Sequence, residues 1–253
     1  MSEVAQTLDL DVVDGVHRIE DAYTNWYLVE DGDRLTIVDA GVPTSWDSLT
    51  EALRRLGRAP GDVGALVLTH AHFDHIGFAE RARRELGVEV WAPEDDVPLT
   101  RHPLQYSRER SPLAYAWRRG ARPIMAALAR SRAFFPTPIE QVRRFRRDEG
   151  ALPVPGSPVV VATPGHTIGH VAFALPERGA VIAGDALVTL DPYTGAIGPR
   201  LVARAATADR ERAFASLDPL ARTEAPVLLP GHGEPWRGGA EAAVELARRA
   251  GIA

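Results

Sequence analysis

The chain has 253 residues, 45% hydrophobic and 25% charged, with a formal net charge of −5. That length can bury one substantial core or two small ones, and the charge gives no basic field to attract nucleic acid or an anionic membrane. Neither cysteine nor lysine occurs, which excludes disulfides, thiolate metal sites, a cysteine nucleophile and a Schiff-base lysine. The opening stretch, Met1 to Asp9, is acidic and has no apolar core, so it does not read as a signal peptide. No apolar run is long enough to cross a bilayer, and a cytoplasmic protein is expected.

Residues 12–42 read as a meander of strands: Val16 to Ile19, Trp26 to Val29 and Leu35 to Val38. Asp31-Gly32-Asp33 supplies the turn between the last two, and the third strand ends on Asp39-Ala40-Gly41. Ser45 to Leu56 carries Trp46, Leu49, Leu53 and Leu56 near helical spacing. Ala65 to Leu68 reads as a buried strand, Phe78 to Leu86 as a short helix and Val88 to Ala92 as another strand. This alternation points to a layered arrangement of strands and helices, in which ligands gather at loops beyond strand ends.

Residues 97–150 are rich in Arg, Pro and aromatic side chains, with a helix-like segment from Ile124 to Arg132 and no strong strand. They are expected to form a helical, lid-like insertion within a single domain spanning residues 1–253. Strands then return at Val159 to Ala162, Val171 to Ala174 and Ala180 to Ala183. A helix from about Ala208 to Leu220, a strand at Val227 to Leu229 and a helix from Gly239 to Ala250 complete the chain.

The chemistry is concentrated after the strand at Ala65 to Leu68. His70, His72, Asp74 and His75 put three imidazoles and a carboxylate within six residues, a density hard to explain as packing. Imidazole nitrogens and carboxylate oxygens are the donors that borderline cations such as zinc prefer. Three later strand ends carry matching candidates in tight turns: His166 after Pro164-Gly165, Asp185 after Gly184 and His232 after Pro230-Gly231. Pro and Gly fix such turns and aim the next side chain. A single His there reads most simply as a turn residue; the joint pattern reads as a metal site.

His70-Ala71-His72-Phe73-Asp74-His75, followed by His166, Asp185 and His232 with Asp39 upstream, resembles the metallo-β-lactamase fold superfamily over nearly the whole chain outside residues 97–150. The resemblance implies an α+β fold, an αββα four-layer sandwich with two metal ions in a cleft at one edge. It implies His70, His72 and His166 on the first ion, Asp74, His75 and His232 on the second, and Asp185 bridging. Asp39 would orient a ligand histidine from behind, and His170 would support the same loops. The implied cofactors are two zinc ions, with iron or manganese as substitutes. The implied activity is that of a zinc-dependent hydrolase, in which a metal-bridging hydroxide cleaves an ester, thioester, lactone or amide bond and Asp74 and Asp185 serve the catalytic step. Gly184-Asp185-Ala186 resembles the glyoxalase II and lactonase branches more than true β-lactamases, which generally lack the bridging Asp. Little chain follows His232, so the C-terminal helical domain of glyoxalase II is not expected.

The alternatives are a mononuclear iron enzyme resembling persulfide dioxygenases and a non-catalytic metal-binding protein. His17 reads as structural and His102 as exposed or lid-borne. The arginines from Arg101 to Arg122 and from Arg143 to Arg147 read first as a solvated face; the functional alternative is attraction of an anionic or acyl-bearing small molecule. Trp117, Tyr106, Tyr115, Phe134 and Phe135 are candidates for an apolar acyl pocket, with packing of the insertion as the plainer reading, and Tyr193 is a candidate donor to a substrate carbonyl. No nucleic-acid or membrane partner is expected, and oligomeric state is open.

Overall fold

The computed structural model describes residues 6–253, so the first part of the N-terminal reading, residues 1–5, lies outside the described residues. Strands β1 (Thr7–Val13), β2 (Val16–Asp21), β3 (Thr24–Asp31) and β4 (Arg34–Val38) form an antiparallel meander. After helix α1 (Ser45–Leu56) the chain adds β5 (Val63–Val67) parallel to β4. Helix α2 (Ala79–Glu85) and β6 (Glu89–Pro93) follow, then short helices α3 (Val97–Arg101) and α4 (Ala121–Arg130) and an edge strand, β7 (Arg143–Phe145). These strands make one sheet in sequence order from β1 to β7.

The second sheet contains β8 (Val159–Ala162), β9 (Val171–Leu175) and β10 (Ala180–Gly184). The hairpin β11 (Val188–Leu190) and β12 (Ile197–Arg200) stands apart, followed by α5 (Arg210–Ala215) and α6 (Leu217–Ala221). Strand β13 (Val227–Pro230) then pairs in parallel with β10, and α7 (Ala240–Ala250) ends the elements.

Period-two alternation explains why the two sheets stack. On β9, Val171, Phe173 and Leu175 face the first sheet, while Ala172 and Ala174 face the C-terminal helices. On β4, Val38 points between the sheets and Leu35 and Ile37 point toward α1 and α2. The same division holds on β10, where Ala180 and Ile182 go one way and Val181 and Ala183 the other. Every central strand is therefore buried on both faces, and the layers run helix, sheet, sheet, helix. Each fully buried Leu, Ile or Phe contributes roughly 1.5–3 kcal/mol of transfer free energy to this stack. This is the expected αββα sandwich.

Three differences have physical causes. Residues 97–150 are helical only in part, because Arg143 to Phe145 joins the sheet beside β6. Its burial is one-sided: Phe145 enters the core while Arg143 stays exposed, stacked 4.1 Å over the Trp91 ring and paired with Glu89 at 3.1 Å. An arginine-rich edge strand looks polar in sequence. The expected helix near 208–220 is broken into two at Ser216, where Pro219 has no N–H to offer the Ala215 carbonyl and the Ser216 hydroxyl donates to the Pro164 carbonyl. Strand β1 and the β11–β12 hairpin lack a clear sequence signal; β1 leaves most of its residues partly exposed, and β11 has only three residues.

Candidate metal centre

Strands β4, β5 and β6 run parallel, as do β10 and β13; β8 shares their sense because it is antiparallel to β9, which is antiparallel to β10. The loops after β4, β5, β8, β10 and β13 therefore meet at one edge of the sandwich. They carry Asp39, the His70–His75 run, His166, Asp185 and His232, all of them buried. Residues from positions 39 to 232 thus converge without any long-range sequence signal beyond the strand ends themselves.

Two triads form. One nitrogen from each of His70, His72 and His166 lies within 4.8 Å of the others, and so do one donor atom each from Asp74, His75 and His232. Asp185 lies between the triads. Its Oδ2 is 3.3 Å from both His166 Nε2 and His232 Nε2, and its Oδ1 is 3.5 Å from His75 Nε2. Asp74 Oδ2 is 3.6 Å from His232 Nε2. The approach is so tight that a Cβ on Gly231 would fall 2.0 Å from Asp185 Oδ1, which makes glycine obligatory in the His232 turn.

The hydrogen bonds behind the rings decide which nitrogens face inward. Asp39 Oδ1 accepts the Thr69 N–H at 2.8 Å, and its Oδ2 accepts the Thr69 hydroxyl at 2.8 Å. With its proton committed there, the Thr69 oxygen takes His70 Nδ1–H at 2.9 Å. Asp39 Oδ2 also accepts from His75 Nδ1 at 3.1 Å, and the Tyr23 carbonyl accepts from His232 Nδ1 at 2.7 Å. The Nε2 atoms of His70, His75 and His232 are left bare, buried and without a partner. An Asp39 oxygen also lies close to ring nitrogens of His70 and His75, but both its oxygens are already engaged, so it orients rings instead of offering a further donor. Its backbone, at φ 61°, sits in the left-handed region, which turns the carboxylate back toward Thr69.

His170 has both ring nitrogens occupied. Nε2 accepts the Asp185 N–H at 3.0 Å and Nδ1 donates to the Thr163 hydroxyl at 2.9 Å. It therefore ties the Asp185 turn to Thr163.

The electrostatics divide the histidines. Burial and neighbouring imidazoles hold His70 and His166 well below the usual histidine range, and burial takes His72 and His170 to about 3. These rings are neutral, the form that binds cations. Burial also works against a charged His232, but Asp185 and Asp74 outweigh it and raise its pKa to about 10. His75 is raised in the same way, burial being overcome by Asp185 and by Asp39 and Asp74. Asp185 is held well below the carboxylate range because His232, His75 and His166 overcome its burial, whereas burial raises Asp74. The second triad thus favours positive charge, whether a proton or a cation. His70 Nε2, His75 Nε2, His232 Nε2 and Asp185 Oδ1 are buried polar atoms with no protein partner, the condition a cation relieves. The donor set fits metal ions.

Of the flanking aromatics, Tyr106, Tyr115 and Phe134 pack against the body, the plainer expectation, and Trp117 and Phe135 do not. Tyr106 lies 4.4 Å from the His72 ring between centroids and its hydroxyl is 3.4 Å from that of Tyr193. Phe134 packs on Phe73 at 5.2 Å beneath the ligand loop, in a cluster with Ile124 and Leu128. Phe135 and Trp117 project to solvent at 77% and 65% exposure, so neither lines an internal acyl pocket. His17 is buried and accepts the Asp11 N–H at 3.0 Å, a structural role, and His102 is exposed at the end of α3.

Two supports were invisible in sequence. Asp96, buried, accepts the Ala71 N–H at 3.1 Å, the Thr167 hydroxyl at 2.7 Å and the Gly169 N–H at 2.8 Å. It ties the His70–His75 loop to the loop bearing His166 and His170. Asn25 clamps the His232 turn, its Nδ2 donating to the carbonyls of Pro230 at 2.9 Å and Gly233 at 2.7 Å. The fully buried Arg18 donates to Asn25 Oδ1 at 3.0 Å, and the Tyr27 hydroxyl donates to the Pro230 carbonyl at 2.6 Å. Asp96 could have been found by the rule that exposed Asp39, a carboxylate following a strand, but Glu94 and Asp95 disguise it as a surface acidic run.

The fold and the two facing triads define a class of metal-dependent hydrolase folds, and the comparisons place the chain in one. The family model of the metallo-beta-lactamase superfamily matches residues 19–232, and the chain belongs to that superfamily. It is 27% identical over 254 residues to the probable metallo-hydrolase YflN of Bacillus subtilis, covering 94% of this chain and 91% of that protein. It resembles the crystal structure of a metallo-beta-lactamase family protein, TTHA1429, from Thermus thermophilus, with a TM-score of 0.66 and 26% identity over 94% of this chain and 80% of that one. A second solved structure, TTHA1623 in a di-iron-bound form, gives a TM-score of 0.60 and 30% identity over 87% of this chain and 92% of its own. Among the described residues, no helix is long and apolar enough to cross a membrane.

Proposed function

We propose that the protein is a dinuclear metallo-hydrolase that cleaves an ester, thioester, lactone or amide bond in a small molecule. The observation that carries this is the set of bare, buried Nε2 atoms on His70, His75 and His232, converging with His72, His166 and Asp74 around Asp185. His70, His72 and His166 would hold one ion and Asp74, His75 and His232 the other, with Asp185 between them. Zinc suits this nitrogen and oxygen donor set, and the di-iron form of a relative makes iron the second metal to test. Bound ions supply Lewis acidity and a water whose pKa falls toward about 7.

The chain's own part is orientation and proton handling. Asp39 and Thr69 engage Nδ1 of His75 and His70, so that their Nε2 atoms face the centre, where a cation would take the place of the proton that the nearby carboxylates favour on His75. Asp185 supplies negative charge between the triads. Asp74, at 7% exposure the most open of the ligand set, has its pKa raised by burial and is placed to take a proton from the attacking water and pass it to the departing group. No serine or cysteine nucleophile is needed, so hydrolysis proceeds without an acyl-enzyme.

The test is a panel of esters, thioesters, lactones and amides assayed with zinc-, iron- and manganese-loaded protein. Turnover of at least one class is expected. Asp185→Ala should cost roughly 10²–10³-fold in rate, about 3–4 kcal/mol, comparable to removing one strong electrostatic contact from an active site. Failure of the whole panel with metal fully loaded would overturn the hydrolase reading, and oxygen uptake on a persulfide would replace it with an oxidative one.

A further inference from the structure

Behind Tyr193, whose hydroxyl faces that of Tyr106, lies a solvent-open cavity of about 360 Å³ lined by Tyr115, Ala121, Met125 and Tyr193, with Leu113, 82% exposed, at its rim. Its lining is almost wholly carbon. The two polar side chains at its border with a formal charge are Arg118 and Arg122. Tyr193 belongs to both compartments: its hydroxyl is 3.4 Å from that of Tyr106, which packs against His72, and its ring lies 6.2 Å from that of Tyr115. Asp74 also contributes to raising the Tyr193 pKa, behind burial and Tyr106, which places the phenol within the field of the centre. The Tyr115 hydroxyl is buried with no partner.

The charge around this cavity is one-sided. Arg118 stacks 4.2 Å over Trp117, and Arg108 and Arg110 lie 5.5 and 5.6 Å over the rings of Tyr106 and Tyr115. Among the described residues none of these three, nor Arg122, is in an ion pair, whereas Arg143, Arg146 and Arg147 farther along are each paired with a carboxylate. Unpaired guanidinium groups held on aromatic faces at an apolar cavity suit a ligand with a carbon body and an anionic end.

We propose that this cavity is the substrate pocket and takes a medium-length acyl chain bearing a terminal carboxylate. The chain lies against Leu113, Met125 and Tyr193, its carboxylate meets Arg118 and Arg122, and its other end points past Tyr106 to the metal centre. The placement of the scissile carbonyl rests on the hydrolase reading above; occupancy of the pocket does not.

Calorimetric titration of the metal-loaded protein with octanedioate, octanoate and butanedioate tests this. Octanedioate should bind tightest, and Met125→Trp, which fills the cavity, and Arg122→Glu, which reverses its charge, should each weaken it at least about tenfold. Butanedioate, whose two-carbon body leaves most of the apolar lining uncovered, should bind weakly and ignore both changes. Equal octanedioate affinity in the parent and in both folded variants overturns the proposal. If Met125→Trp does not fold, Arg122→Glu and Arg118→Glu decide it, since both side chains are exposed. Binding that follows this pattern without turnover of any octanedioate monoester or thioester keeps the pocket and removes the hydrolase reading. Turnover with no dependence on chain length or charge does the reverse.

Discussion

At the ligand edge of the sandwich the polar side chains either have fixed partners or point into the centre. Asp39, Asp96, Asn25 and His170 each make two or more hydrogen bonds to the turns that carry the candidate ligands. Across residues 102–120, by contrast, the chain runs through short turns, and Arg108, Arg110 and Arg118 lie over aromatic rings. The first region is over-determined and the second is adaptable. A metal centre needs donors held to within fractions of an ångström, whereas a surface that adapts to different ligands needs shape and charge on a scaffold free to vary.

The comparison can be broken by substitution. Asp96→Ala should be the most damaging change away from the donors themselves, because it strands two backbone N–H groups and a hydroxyl in the interior. About 3 kcal/mol or more should be lost in chemical denaturation, and metal affinity should fall with it. Unchanged stability would mean that the two ligand loops do not depend on this tie. Asp39→Asn should be milder for folding but should weaken metal binding roughly 10–100-fold, because the amide no longer anchors His75 and Thr69 in the same sense. A competition titration with a chromophoric chelator reads that number, and affinity equal to the parent would show that ring orientation is set elsewhere. Arg146→Gln, which removes a wholly exposed pair with Asp148, should leave the melting curve superimposable on the parent's. A clear shift would show that the arginine-rich segment is more tightly built than its contacts indicate.

The same contrast governs what could be read from sequence. His70 to His75, His166, Asp185 and His232 are visible because each follows an apolar strand and sits in a turn, so local chemistry and secondary structure mark the same positions. The four-layer sandwich follows from that pattern once the alternation on β4, β9 and β10 is recognised. Arg18 and Asn25 were not legible, because a buried arginine on a strand is indistinguishable in sequence from an exposed one until Asp9, Glu20 and Glu234 are seen around it. The segment from 97 onward lost its last strand to the same ambiguity, Arg143 and Arg144 masking the inward-facing Phe145. Of the aromatic candidates, Phe135 and Trp117 are exposed whereas Tyr115 and Tyr193 line the cavity, together with Leu113 and Met125, which carry no motif.

The central claim is that seven side chains hold two ions. Metal content and anomalous scattering from crystals of the loaded protein test it most directly. The account predicts two ions per chain, one among His70, His72 and His166 and one among Asp74, His75 and His232, with Asp185 contacting both. A single ion in fully active protein, or ions bound away from these residues, would contradict it.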